Sequence, residues 1–151
     1  MALPWLGGCG TREKAPDFGY TLLDGSTGRT EALRGKVLLV NFWATTCAVC
    51  VAEMPRIVAT HEKFRARGFE TLAVAMQHDP PASVSMYAES RRLPFGVVID
   101  NTGEIARRYG PVKATPTTFL IDKQGAIAAS WLGEPNFGVL HASIEKLLAE
   151  A

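Results

Sequence analysis

The sequence predicts an α/β fold: a mixed central β-sheet with helices on both faces and an N-terminal strand or hairpin extension. Three observations carry this. Strand-like and helix-like stretches alternate along most of the chain, and a hairpin signal follows near the C-terminal end. The run Val37-Leu38-Leu39-Val40-Asn41-Phe42-Trp43 is almost continuously apolar, as a strand covered on both faces must be. That run gives way to a helical pattern, and Cys47 and Cys50 stand at the junction.

The elements follow in order. Residues 1–15 read as a flexible leader, and residues 16–151 as one domain. Phe18, Tyr20 and Leu22 alternate with small or polar residues up to the turn signal Asp24-Gly25. Thr30 to Leu33 continues the hairpin, and Gly35 ends it. Val37 to Phe42 is a buried strand. From Cys47 to about Arg67 the apolar spacing predicts a helix, with Cys50, Met54, Ile57, Val58, His61 and Phe64 on one face and Gly68 as its stop. Pro55 inside it removes a backbone hydrogen bond and predicts a kink. Phe69 to Met76 is the next buried strand, and Pro80-Pro81 opens a helix to about Arg92. Gly96 to Ile99 is a short strand, and Thr102 N-caps a short helix to Tyr109. Thr117 to Ile121 is a strand, Asp122-Lys123-Gln124-Gly125 turns it into Ala126 to Leu132, and Phe137 to Ala149 closes as a helix.

Composition excludes several classes of function. The chain has 151 residues, 47% of them hydrophobic, enough for one core. With 16 basic and 15 acidic side chains and no basic run, it lacks the electrostatic footprint of a nucleic-acid binder. No stretch of about 18 apolar residues is present to span a bilayer as a helix.

The chemistry sits in Cys47-Ala48-Val49-Cys50. At a helix N-terminus, unpaired N–H groups and the positive dipole end stabilise a thiolate. Cys47, nearer the terminus, is then the attacking thiolate, and Cys50 resolves the mixed disulfide. Half of a zinc site has the same spacing, but the remaining candidates Cys9, His61, His78 and His141 are scattered singly rather than paired. His61 and His141 read as helix-surface or half-buried histidines. Cys9, in Leu6-Gly7-Gly8-Cys9, is either the lipidated cysteine of a trimmed lipoprotein signal or a free cysteine in a loose terminus.

Two segments carry a family resemblance. Asn41-Phe42-Trp43-Ala44-Thr45-Thr46-Cys47-Ala48-Val49-Cys50-Val51-Ala52-Glu53-Met54-Pro55, with Ala114-Thr115-Pro116-Thr117-Thr118-Phe119-Leu120-Ile121-Asp122 downstream, resembles the TlpA/ResA branch of the thioredoxin-like proteins. The resemblance extends over nearly all of the chain from about Ala15. It implies a thioredoxin-like fold and a thiol-disulfide oxidoreductase that needs no cofactor. It implies a protein that takes electrons from an upstream thiol donor and reduces disulfides in exported proteins of the bacterial envelope, such as the haem-site cysteines of apocytochrome c; the chain is expected to act as a monomer. By the same resemblance the Thr115-Pro116 bond is cis and its loop pairs with an extended stretch of substrate, with Trp43 beside the dithiol. Asn41 stands where thioredoxin has a buried aspartate, so the role of proton acceptor passes to Glu53 or to water. Plainer readings stay open: a solvated helix carboxylate for Glu53, a core aromatic for Trp43, a turn proline for Pro116.

Two residues depart from the family pattern. Thr46 replaces a second tryptophan on the docking surface, and Val49 replaces the proline before the resolving cysteine. Two rival functions remain. A copper metallochaperone would use Cys47, Cys50 and His78 as ligands. A peroxiredoxin-type peroxidase would need Pro and Thr where Val40 and Ala44 stand, and the sequence counts against it.

Overall fold

The computed structural model describes residues 12–151. Cys9 lies outside them. A five-stranded sheet in the order β5-β4-β3-β6-β7 forms the centre. Its strands are β3 (Val37–Trp43), β4 (Phe69–Ala75), β5 (Gly96–Ile99), β6 (Thr117–Ile121) and β7 (Ile127–Leu132). β3 runs parallel to β4 and antiparallel to β6, so the sheet is mixed, as the sequence predicts. Every residue of β3 is buried, which is why its run is apolar throughout.

The pleat sorts the core into two layers. Val37, Leu39 and Trp43 face Met54, Ile57 and Phe64 of α1 (Ala48–Phe64), Val84 and Ala88 of α2 (Pro81–Arg91) and Leu140, Ile144 and Leu147 of α4 (Phe137–Ala149). Leu38, Val40 and Phe42 face Ile105 and Ala106 of α3 (Glu104–Arg108), with Phe18 and Tyr109 completing that layer. Among the described residues, no helix is long and apolar enough to cross a membrane.

The structure refines four boundaries. β1 (Gly19–Thr21) and β2 (Thr27–Arg29) form a separate hairpin that touches the β5 edge through a Leu22–Val98 bridge. Thr30 to Leu33, expected to continue the strand, is a 3-10 turn instead. The reason is that β1 ends the pairing: Thr30 N–H reaches Phe18 O at 3.0 Å, its hydroxyl binds Asp17, and Arg34 N–H closes on Glu31 O. The long helix ends at Phe64 and tightens to a 3-10 turn over Arg65–Arg67 before Gly68, whose φ of 94° only glycine adopts readily. Arg12 to Ala15, read as part of the leader, pack on the domain: Lys14 bridges Ala126, Ala15 N–H reaches Gly125 O, and Arg12 pairs with Asp122 and Glu150.

Candidate active site at the start of α1

β3 ends at Trp43, and the turn Ala44–Cys47 delivers the chain to α1 with Cys47 as N-cap. Cys47 is half-buried and Cys50 fully buried. Their Cα atoms are 5.2 Å apart and the sulfurs are joined as a disulfide. Cys50 N–H donates to Cys47 Sγ at 3.2 Å, a contact that would equally favour negative charge on that sulfur. This is the sulfur the helix terminus serves. Cys50 lies one turn inside, in the apolar layer under α1.

The Thr115-Pro116 bond is cis, and Thr115 O lies 3.5 Å from Cys47 Sγ. Pro116 is buried and its carbonyl accepts from Gly133 N–H at 2.8 Å, so the half-buried Thr115 is the part of the loop that faces the dithiol. Thr46 and Val49 are exposed on either side of Cys47. Trp43 behaves differently: it is fully buried with its ring 5.2 Å from that of Tyr87, so it underlies the site rather than lining its surface.

Glu53 is fully buried. Three residues after Cys50, it shares a helix face with that cysteine, about 5–6 Å away between Cβ atoms. Asn41 Nδ2, on β3, donates to Glu53 Oε1 at 3.2 Å and to Thr118 Oγ1 at 3.0 Å. Burial pushes the Glu53 carboxyl up to about 7, against the smaller opposing effect of the Asn41 hydrogen bond. A carboxyl so tuned accepts and returns protons near neutral pH. Its plainer reading as a solvated carboxylate does not hold.

His78 is exposed beyond the end of β4. Among the described residues, no three His, Cys, Asp or Glu side chains are grouped to hold a metal ion. The three-ligand set of His78 with Cys47 and Cys50 is therefore not assembled. His61, expected at the helix surface or half-buried, is fully buried, with Nδ1 3.1 Å from Thr71 Oγ1. Sequence reasoning passed over Asp79, which is buried beside the turn. Its carboxylate takes both the N–H and the hydroxyl of Thr45. The signal available was an acidic residue between a buried strand and Pro80-Pro81.

A model of the AhpC/TSA family matches residues 11–130. The chain is 40% identical over 113 residues to the thiol-disulfide oxidoreductase ResA of Geobacillus thermodenitrificans, covering 75% of this chain and 64% of that protein. It thus spans less than two thirds of that relative's length. It is 33% identical over 135 residues to ResA of Bacillus thuringiensis subsp. konkukian, covering 89% of this chain and 77% of that one. A thiol:disulfide interchange protein of the thioredoxin family from Chlorobium tepidum superposes with a TM-score of 0.84 at 24% identity, over 94% of this chain and 100% of that one. That last likeness is one of fold.

Proposed function

Since the chain belongs to the AhpC/TSA family, and within it to the ResA-like thiol-disulfide oxidoreductases, we propose that it reduces protein disulfides through Cys47 and Cys50. One observation carries the reading: a half-buried sulfur at the N-terminus of α1 is bonded to a buried one, with a carboxyl of raised pKa one turn further on.

The reduced protein acts in two exchanges. The Cys47 thiolate attacks one sulfur of the substrate disulfide; that S–S bond breaks, and the departing sulfur leaves as a thiolate that takes a proton from water. Cys50 then loses its proton to the Glu53 carboxylate and attacks Cys47 Sγ, which closes the Cys47–Cys50 disulfide and releases the second substrate sulfur as a thiolate that takes a proton from water. Two electrons have passed to the substrate. An upstream dithiol donor restores the reduced form by the same steps in reverse. Thr115 offers its backbone to an extended substrate segment, Pro116 and Trp43 support that surface from beneath, and Thr46 contributes to its rim.

The substrates are disulfides of exported proteins, and apocytochrome c in cytochrome c maturation is the specific case the family favours. The working form is a monomer in the bacterial cell envelope, either periplasmic or held on the outer face of the inner membrane by lipid on Cys9. Fractionation of cells expressing the full gene places it in the envelope under this reading; a cytosolic pool without lipid refutes the location.

The assignment of roles is tested by trapping. Cys50→Ala leaves the mixed disulfide unresolved, so a covalent complex with a disulfide substrate accumulates on non-reducing gels. Cys47→Ala abolishes both trapping and turnover. Equal trapping by the two variants would reverse or erase the assignment.

A further inference from the structure

Asp79 is 1% exposed and stands at the end of the loop that leaves β4. Its Oδ2 accepts the Thr45 backbone N–H at 2.6 Å and its Oδ1 accepts the Thr45 hydroxyl at 2.6 Å. These are short, charge-assisted bonds to two donors of one residue, a two-point grip. The loop that presents the carboxylate is itself fixed: Asp79 N–H donates to Met76 O at 3.0 Å, and Met76 N–H donates to Trp43 O at 3.0 Å. On the other side of Thr45, Ala44 O accepts Cys47 N–H at 3.1 Å. A continuous path of hydrogen bonds thus joins the end of β3, the loop after β4 and the residue that carries the reactive sulfur.

The turn between β3 and α1 is short, and Thr45 N–H has no strand or helix partner of its own. Asp79 supplies that partner. Pro80 and Pro81 follow at once and lead into α2, whose N-terminus favours an anion.

We propose that Asp79 is a positioning residue for the dithiol: by gripping Thr45 it fixes the Ala44–Cys47 turn and so holds Cys47 at the N-terminus of α1. The proposal rests on the reductase reading for its biological consequence, but not for its test. Two effects of Asp79 on Cys47 oppose each other. Its negative charge, near the same helix terminus, disfavours a thiolate. Its grip keeps Cys47 Sγ on the Cys50 N–H, which favours one. The sign of the change on removing the side chain therefore reports which effect rules.

The measurement is the rate at which iodoacetamide modifies Cys47 at pH 7 in the fully reduced chain, with the modified site mapped by mass spectrometry. Cys47 is already half-exposed, so access of this small reagent does not limit the rate. D79A is expected to slow modification several-fold, within the roughly fifteenfold range in thiolate fraction at pH 7 between thiols of pKa about 7 and about 8.5. D79N removes the charge and keeps the grip, because the amide oxygen accepts from Thr45 N–H and the amide N–H donates to the hydroxyl. It should react at the wild-type rate or faster. T45V loses one of the two bonds and should fall between wild type and D79A.

A D79A rate equal to or above wild type overturns the proposal, and so does D79N slowed as much as D79A. If D79A does not fold, T45V decides alone: a slower rate supports the grip and a wild-type rate overturns it. Alkylation needs only a free thiol. Should the wild-type protein fail to reduce a disulfide substrate, the reductase reading falls while these rates still judge Asp79.

Discussion

Glu53 shows how one buried atom pair can set the behaviour of a molecule around neutral pH. Its carboxyl is raised from 4.5 to about 7 because the ionised form has lost water and gained only the Asn41 amide. A raised carboxyl means that the folded state holds the proton more tightly than the unfolded chain does. Its stability is therefore full below about pH 4.5 and is lost as pH rises through about 7. Between pH 5 and pH 8 the disulfide form should lose about 2 to 3 kcal/mol from this group. Glu53→Gln should abolish most of that loss, seen as urea midpoints that no longer diverge between the two pH values. An unchanged divergence would assign the pH dependence elsewhere. The spacing from Cys50 was legible in the sequence, but the burial was not. Glutamates on helices are usually solvated, and only the meeting of Asn41 and Thr118 across β3 and β6 gives this one a polar seat inside. His61 lies on the expected helix face but deeper than half-buried for the same reason, since its partner Thr71 comes from a different element.

At the scale of elements, periodicity found every strand and helix of the main sheet, and local cap signals were less reliable. Thr102 was the expected N-cap of the short helix before Tyr109. In the structure Gly103 occupies that position, and the cap is supplied from further back by Asp100, whose carboxylate accepts Ile105 N–H at 3.1 Å and Ala106 N–H at 2.9 Å. No local motif announces a cap that reaches five and six residues forward. Asp100 is buried, so its removal leaves two helix-end donors without that partner. Asp100→Ala should cost about 1 to 2 kcal/mol, measured by denaturant unfolding at constant pH. A loss below about 0.5 kcal/mol would mean that Thr102, whose hydroxyl already meets Glu104 N–H at 3.3 Å, takes over the cap.

Across the whole molecule, the order of strands and helices was readable because each element carries its own pattern. The attachment of residues 12–15 was not, since that segment is polar and its partners are distant in sequence. Arg12 reaches Asp122 at 3.0 Å and Glu150 at 2.9 Å, joining the first described residues to the β6–β7 turn and the C-terminal helix. The three side chains are largely shielded, so the pairs are worth more than open surface ones. Arg12→Ala should lower stability by about 1 to 2 kcal/mol. It should also speed amide exchange at Ile127, whose N–H donates to Glu13 O at 2.7 Å, while exchange in β3 stays in step with global unfolding. Equal acceleration everywhere would show that the segment is not a separately held piece.

That same knot of charges lies at one pole of the domain. β6 leaves Thr117, opposite Phe42 at the dithiol end, and arrives at Ile121, opposite Leu38. The turn that follows, with Arg12 and Glu150 gathered on it, therefore lies about 20 Å from the cysteines, the length of the seven-residue strand β3. The chain thus enters the described domain at its back. A partner met at that pole and a disulfide met at the cysteines would lie at opposite ends of the sheet, so neither would crowd the other.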